Sequence, residues 1–272
     1  MSTTVTQTQT VTTTMRSSPV KVTLNVTSDT ICPWCYIGFK QINNAIQKAK
    51  AAKLPITFDV EFSPFMLDPT LPVTGSRPRR ERYIEKFGEA RSNAIVETLG
   101  NVGKELGINF TYDGVISQTI LSHRILMKAY QLGGQDAQQT LLAIIFKGFF
   151  EENKNVGDVD WLAQTAEQAG FMSAAEAKKF LESSELEKEV TRKIEMAQMM
   201  GITGVPFTII NGRWALSGAQ PSEVFYQVFE KLAKEPKTKG HNKAVDGPTC
   251  ENGVCTAAEH EHTHPPAESC EV

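Results

Sequence analysis

From residue 20 the chain is apolar at every second position. Val20, Val22, Leu24 and Val26 alternate with Lys21, Thr23 and Asn25, the pattern of a half-buried strand. Further on the period changes. Ile42, Ala45, Ile46 and Ala49 recur at helical spacing, leaving Lys40, Gln41, Asn43, Asn44, Gln47 and Lys48 for the opposite face. Strict alternation returns in Ile-Thr-Phe-Asp-Val-Glu-Phe at 56–62, which predicts a second strand. A helix between two strands makes a crossover unit, so these strands run parallel and the connection is right-handed.

The next stretch, 63–78, holds Pro64, Pro69, Pro72, Gly75 and Pro78 and reads as an ordered loop, with Phe65, Met66 and Leu67 lining a groove or tethering the loop. From Arg79 to Gly201 the pattern is helical almost throughout. Ile84, Phe87, Ile95 and Leu99 mark one or two helices ending near Gly107, and 107–110 is a short extended piece. Ile120, Leu121, Ile125, Leu126, Ala129 and Leu132 make a stripe that stops at Gly133-Gly134, and Leu141, Leu142, Ile145, Phe146, Phe149 and Phe150 make another. Asp158 and the capping box Ser173-x-x-Glu176 start two further helices, and Leu186, Val190, Ile194 and Ala197 face one side of a last one. No strands of its own are expected in this insertion.

Strand character resumes at 204–210 and leads into Asn211-Gly212, a strong hairpin signal, with 213–216 returning. Ser217-Gly218-Ala219-Gln220-Pro221 then turns into a helix that points Val224, Phe225, Val228, Phe229 and Leu232 inward. The order is β-α-β, helical insertion, β-β-α. Two strand pairs that cannot stand alone are buried most simply in one sheet, giving an α/β fold with a large all-helical insertion. The expected division is a tail at 1–19, a sheet domain from 20–63 and 202–235, the insertion at 64–201, and a flexible tail at 236–272 with a second cysteine pair.

Composition narrows the class. The 272 residues carry a net charge of −3, with 40% hydrophobic and 22% charged residues, ordinary values for a soluble globular chain. No basic field argues for nucleic acid or an anionic membrane. No apolar run approaches the roughly 18 residues a membrane span needs. The Thr-, Gln- and Ser-rich stretch 1–18 has one charge, Arg16, and lacks the apolar centre of a secretory signal. It reads as a disordered tail on a cytoplasmic protein, with mitochondrial import as the lesser reading. Five cysteines without a signal do not make a structural disulfide framework.

The candidate chemistry sits at the first strand-to-helix corner, in Cys32-Pro33-Trp34-Cys35. A C-x-x-C at such a corner is the redox context. With Pro33 at the first helical position, Cys32 falls at the N-cap, where its sulfur would face the unpaired N–H groups of the first turn and the positive end of the helix dipole. Both favour thiolate over thiol. Cys35, nearly a turn further in and less exposed, would attack a mixed disulfide formed at Cys32. Half a zinc site and two inert cysteines are the competing readings; the first needs a second ligand pair, and the second leaves Pro33 unexplained.

Asp29-Thr30-Ile31-Cys32-Pro33-Trp34-Cys35-Tyr36-Ile37-Gly38, Gly204-Val205-Pro206-Phe207 and Ser217-Gly218-Ala219-Gln220-Pro221 together resemble the DsbA-like thioredoxin-fold oxidoreductases, in particular the FrnE-type branch, over about 20–234. The resemblance implies a thioredoxin fold, a catalytic pair at Cys32 and Cys35, a cis-proline at Pro206, and a substrate-binding surface from Pro33, Trp34, Val205 and Pro206. It implies thiol–disulfide exchange with protein or small-molecule thiols, recycled by glutathione or a thioredoxin system. No metal or nucleotide cofactor is expected, and glutathione is admitted as a co-substrate. Trp34 stands where the periplasmic oxidase has His, so that enzyme's oxidising power does not carry over. The related kappa-class glutathione transferases and 2-hydroxychromene-2-carboxylate isomerases place Ser where this chain has Cys32, so glutathione-dependent transfer or isomerisation is the alternative enzyme reading. A redox-regulated binding module is the non-enzymatic one. His123-Arg124 faces the groove by analogy or, as the plainer reading, includes a satisfied histidine.

Cys250 and Cys255 flank Asn252-Gly253, a turn that would bring the two thiols together as a second redox pair. A zinc site with His260, His262 and His264, and an idle tail, are the competing readings; Cys270 has no evident partner.

Overall fold

The computed structural model describes residues 18–235. Strand β1 (Val20–Ser28) leads into helix α1 (Pro33–Ala51) and strand β2 (Ile56–Pro64), as the change of period from two to helical and back dictates. The strands β1 and β2 are parallel, in register from Val20↔Ile56 to Ser28↔Pro64. At the far end of the chain β5 (Phe207–Ile210) and β6 (Trp214–Ser217) form an antiparallel hairpin, followed by helix α8 (Ser222–Lys234). The hairpin turn puts Asn211 and Gly212 at φ 50° and 64°, the left-handed pair that the Asn-Gly dipeptide tolerates. Antiparallel pairing of β5 with β1, from Leu24↔Ile210 to Thr27↔Phe207, closes both halves into one sheet of order β2-β1-β5-β6.

One face of this sheet carries Val22, Leu24, Val26, Val60 and Phe62, all buried. Helices α1 and α8 cover it: Phe39 meets Phe62 at 5.7 Å between ring centroids, and Phe229 meets Phe58 at 4.8 Å. The backbone N–H of Ser222, at the start of α8, donates to Gln41 of α1 at 2.9 Å and locks the two helices together.

Between the halves lie helices α2 (Arg79–Phe87), α3 (Glu89–Glu105), α4 (Ile120–Glu151), α5 (Val159–Gln168), α6 (Ala174–Glu182) and α7 (Glu187–Met199). Asp158 caps α5 through the Trp161 amide, and Ser173 with Glu176 forms the capping box of α6. Helix α4 bends where the sequence has two glycines; Gly134 sits at φ 62° and ψ −153°, a region closed to residues with a Cβ. The bend aims Gln135 and Gln138 at the open edge of β2. Gln135 receives the Val60 amide and donates to Phe58 O, and Gln138 does the same for Phe62 N and O. Two side-chain amides thus replace the neighbouring strand that this edge lacks.

The insertion does have strands, contrary to expectation. Strands β3 (Arg77–Pro78) and β4 (Val115–Ile116) pair antiparallel, whereas 107–110 joins no ladder. A two-residue ladder is too short to leave a periodic trace in sequence. Its packing onto the sheet domain runs through an aromatic cluster: Tyr36 of α1 stacks on Phe146 and Phe150 of α4 at 5.1 and 5.8 Å, and its hydroxyl donates to Glu151 at 2.7 Å. Among the described residues no helix is long and apolar enough to cross a membrane.

Candidate active site

Pro33 opens α1 and Cys32 is its N-cap residue, in extended conformation with φ −88° and ψ 116°. The Cys32 carbonyl accepts from the Cys35 and Tyr36 amides at 3.0 and 3.3 Å. Its side chain, however, makes no capping bond. Both sulfurs are free thiols, and the Cys32 thiol, a donor, turns instead to the carbonyl of Val205 at 3.5 Å. The expected orientation toward the first-turn amides is therefore absent in the reduced pair. The expected difference in exposure is absent too, since Cys32 is 2% and Cys35 1% exposed.

The bond between Val205 and Pro206 is cis. The Cys32 contact with Val205 O and the approach of Pro206 to Gly38 join Cys32, Cys35, Val205 and Pro206 in one site, with Pro33 buried and Trp34 half-buried beside them. Gly38, one turn beyond Cys35, completes the fit: a Cβ there would lie 3.0 Å from Cγ of Pro206. Spacing does not announce this role, because a helical glycine reads only as a weak position.

Around Cys35 the structure places groups that spacing alone did not single out. Burial, together with the hydrogen bond and charge of Cys32, pushes the Cys35 thiol well above its ordinary value. The Asp29 amide points at its sulfur at 3.5 Å, and the Ser28 hydroxyl beside it also favours the anion. The Asp29 carboxylate is fully buried and accepts from the Leu67 amide at 2.7 Å and from His123 Nε2 at 3.2 Å. His123 Nε2 is also 2.8 Å from the carbonyl of Phe65; since both neighbours are acceptors, Nε2 carries the hydrogen. His123 is thus a satisfied buried histidine. Arg124 spends its guanidinium on the carbonyls of Phe180, Leu181, Ser183 and Glu185 and pins the α6–α7 turn. The Thr30 hydroxyl donates to Ser122, which donates to Thr119 O, each at 2.8 Å. The motif turn is therefore fastened to the first turn of α4 from outside. The loop after β2 both tethers and lines: Phe65 N donates to Ser28 O at 3.0 Å, and Met66 borders a cavity of about 590 Å³ shared with Gln118 and Leu121.

Helix α2 borders the motif turn at Ile31. Burial pushes the Tyr83 phenol well up, against the opposing charge of Arg79, with smaller upward contributions from Tyr112 and Cys32. Tyr83, Phe87, Leu67 and Ile31 enclose a small cavity of about 20 Å³ together with Asp68 and Arg82. Arg82 holds Asp68 bidentately, Nε to Oδ2 at 2.8 Å and Nη2 to Oδ1 at 3.0 Å. Burial alone would raise the Asp68 carboxyl, but Arg82 and Thr70 outweigh it and hold it below the usual carboxylate value. Cys250, Cys255, Cys270 and the tail histidines lie outside the described residues. Among the described residues no cluster of three His, Cys, Asp or Glu forms a metal site.

A four-stranded mixed sheet, a C-x-x-C at the head of the first helix and a cis-proline against it define a thioredoxin-fold protein of the DsbA kind. The sequence model of the DSBA-like thioredoxin domain matches residues 23–230, and the chain belongs to that family. Its sequence is 28% identical to the Bacillus subtilis protein YwbO over 217 residues, 79% of this chain and 98% of that one. The structure is similar to that of a probable DsbA oxidoreductase, SCO1869, from Streptomyces coelicolor, at a TM-score of 0.70 and 26% identity, covering 88% of this chain and all of the other. The fold is shared as well with the cytosolic disulfide reductase DsbM from Pseudomonas aeruginosa with GSH, at a TM-score of 0.51 and 15% identity over 78% of this chain and 95% of that one.

Proposed function

We propose that the protein is a thiol–disulfide oxidoreductase in which Cys32 is the nucleophile and Cys35 the resolving thiol. The observation that carries this reading is the asymmetry around the pair. The Cys32 thiol lies against the carbonyl preceding the cis-proline, where an extended partner would pair, while Cys35 is kept protonated by burial and by Cys32 itself. Cys32 attacks a protein or small-molecule disulfide and releases one half as a thiol, and Cys35 then attacks the Cys32 sulfur and displaces the half still bound in the mixed disulfide. Pro33, Trp34, Val205 and Pro206 present the binding surface. Cys250 and Cys255 serve as a second exchanging pair on a tether, raising the local thiol concentration. The protein works in the reducing cytoplasm without metal or nucleotide, recycled by glutathione or a thioredoxin system. DsbM, solved with GSH, supports glutathione as a small-molecule partner.

Paired substitution tests the reading. Cys35→Ser traps mixed disulfides through Cys32, seen as thiol-reversible adducts by mass spectrometry, and Cys32→Ser abolishes reduction of insulin disulfides. Full activity of Cys32→Ser with glutathione and an electrophile would overturn it in favour of glutathione transfer.

A further inference from the structure

The Ser28 hydroxyl has no hydrogen-bond partner although Ser28 is 4% exposed. A buried polar group left unpaired costs about 1–3 kcal/mol, so this hydroxyl is available to a charge that develops beside it. Ser28 directly precedes the residue whose amide is aimed at the Cys35 sulfur, and the charge its hydroxyl favours is the Cys35 anion. The next residue supplies a second donor, the Asp29 amide, 3.5 Å from the same sulfur. We propose that the Ser28 hydroxyl and the Asp29 amide form a thiolate cradle that charges Cys35 for the resolving step.

This rests on the oxidoreductase reading above and assigns groups to its second half. In that step Cys32 is joined to a partner as Cys32–S–S–R. Cys35 loses its proton, its sulfur bonds to the Cys32 sulfur, and the Cys32–S–R bond breaks. The products are the Cys32–Cys35 disulfide and RS⁻, which takes up the proton as RSH. The pair is oxidised, R is reduced, and no further reagent enters. Once Cys32 is bonded to R, its hydrogen bond and charge no longer hold the proton on Cys35; burial alone opposes ionisation. Fixed donors aimed at a developing charge in a water-excluded site are most effective there.

The cradle is braced from behind. Leu67 N and His123 Nε2 hold the Asp29 carboxylate and so anchor the residue whose amide is aimed at Cys35. The ionisable groups nearest the site are Cys32 on α1, Asp29 in the preceding turn, His123 on α4 and Tyr83 on α2; among them Cys32 alone acts on Cys35 through its charge.

One equivalent of Ellman's disulfide, in the full-length chain carrying Cys250→Ser, Cys255→Ser and Cys270→Ser, separates the two halves by stopped flow. The first thionitrobenzoate released reports attack by Cys32, and the second reports displacement by Cys35. Ser28→Ala is expected to leave the first phase unchanged, slow the second about tenfold at neutral pH and raise its pH midpoint by about one unit. Ser28→Thr, which keeps the hydroxyl, is expected to restore the midpoint. Ser28→Gly removes the same hydroxyl and reads the same way if the alanine variant does not fold. A second-phase midpoint unmoved in the variants lacking the hydroxyl, whatever their thermal stability, overturns the cradle alone. Loss of any first phase through Cys32 in the parent overturns the oxidoreductase reading and the cradle with it.

Discussion

Pro206 rests on the bare Cα of Gly38, so that an added Cβ would stand 3.0 Å from its Cγ and 3.6 Å from its Cβ. Helix α1, which carries both cysteines, reaches the cis-proline only because position 38 has no side chain. Gly38→Ala brings up to about 1 kcal/mol of helix propensity against an overpacking cost of about 1–3 kcal/mol. The expected net loss of stability is therefore small, about 0–2 kcal/mol, while the spacing between the pair and Pro206 opens. Urea unfolding should show that modest change, and insulin reduction should fall more than stability does. Gly38→Val, with two further methyl groups, should lose both.

The Arg82–Asp68 pair ties α2 to the loop after β2, and its contribution depends on pH. The Asp68 carboxyl titrates below its unfolded value, so the folded state favours the ionised form. That stabilisation is complete above the unfolded value of about 3.9 and is lost as pH falls through the lower folded one. Asp68→Asn removes a bidentate charged pair at a mostly buried site and should cost about 2 kcal/mol at pH 7. Urea midpoints measured from pH 7 downward should show the gap between wild type and variant closing only in the acid window; a gap constant with pH would rule out the ion pair as its source.

Tyr83 from the same helix is buried and lines the small cavity with Ile31, the residue before Cys32. Tyr83→Ala enlarges the cavity next to the motif turn, and alkylation of Cys32 by iodoacetamide, followed by peptide mass spectrometry, should quicken about tenfold; an unchanged rate would show that this cavity does not govern access to the thiol. The truncation also removes a buried aromatic ring, at a cost of about 3–5 kcal/mol, so the rates are to be compared in conditions where both proteins are folded.

What sequence showed of this site follows from the range of each signal. Cys32 and Pro33 are neighbours at a strand-to-helix corner, so period and spacing placed them without the coordinates. Strand β5 and its hairpin were legible because Asn211-Gly212 is a local turn with its own chemistry. The groups that act on Cys35 were not. Ser28 and Asp29 were in view as the end of a strand and the start of a motif, but a hydroxyl and an amide acquire meaning only from what they face. Their brace, His123, comes from the insertion, and no pattern in 63–78 or 120–133 states that Asp29, Leu67 and His123 meet. Helix α2 was visible as a helix, yet nothing local says that Tyr83 meets Ile31 beside the motif.

Gln138 raises the same problem on the sheet. It is 1% exposed, sits after the Gly133-Gly134 bend, and spends its amide on both backbone groups of Phe62. Gln138→Leu keeps the volume and leaves a buried N–H and C=O of β2 unpaired, at about 1–3 kcal/mol for each group. It also uncovers part of a sheet edge, which is a template for pairing with other chains. The expected outcome is a urea midpoint lowered by the equivalent of about 2–4 kcal/mol and concentration-dependent light scattering on warming, ahead of global unfolding. Gly134→Ala should reproduce the scattering by a different route, since its left-handed backbone sets the bend that delivers Gln135 and Gln138 to the strand. If Gln138→Leu lost stability but stayed monomeric through the transition, the glutamine would be a packing residue and the edge would be guarded by the bulk of α4 itself.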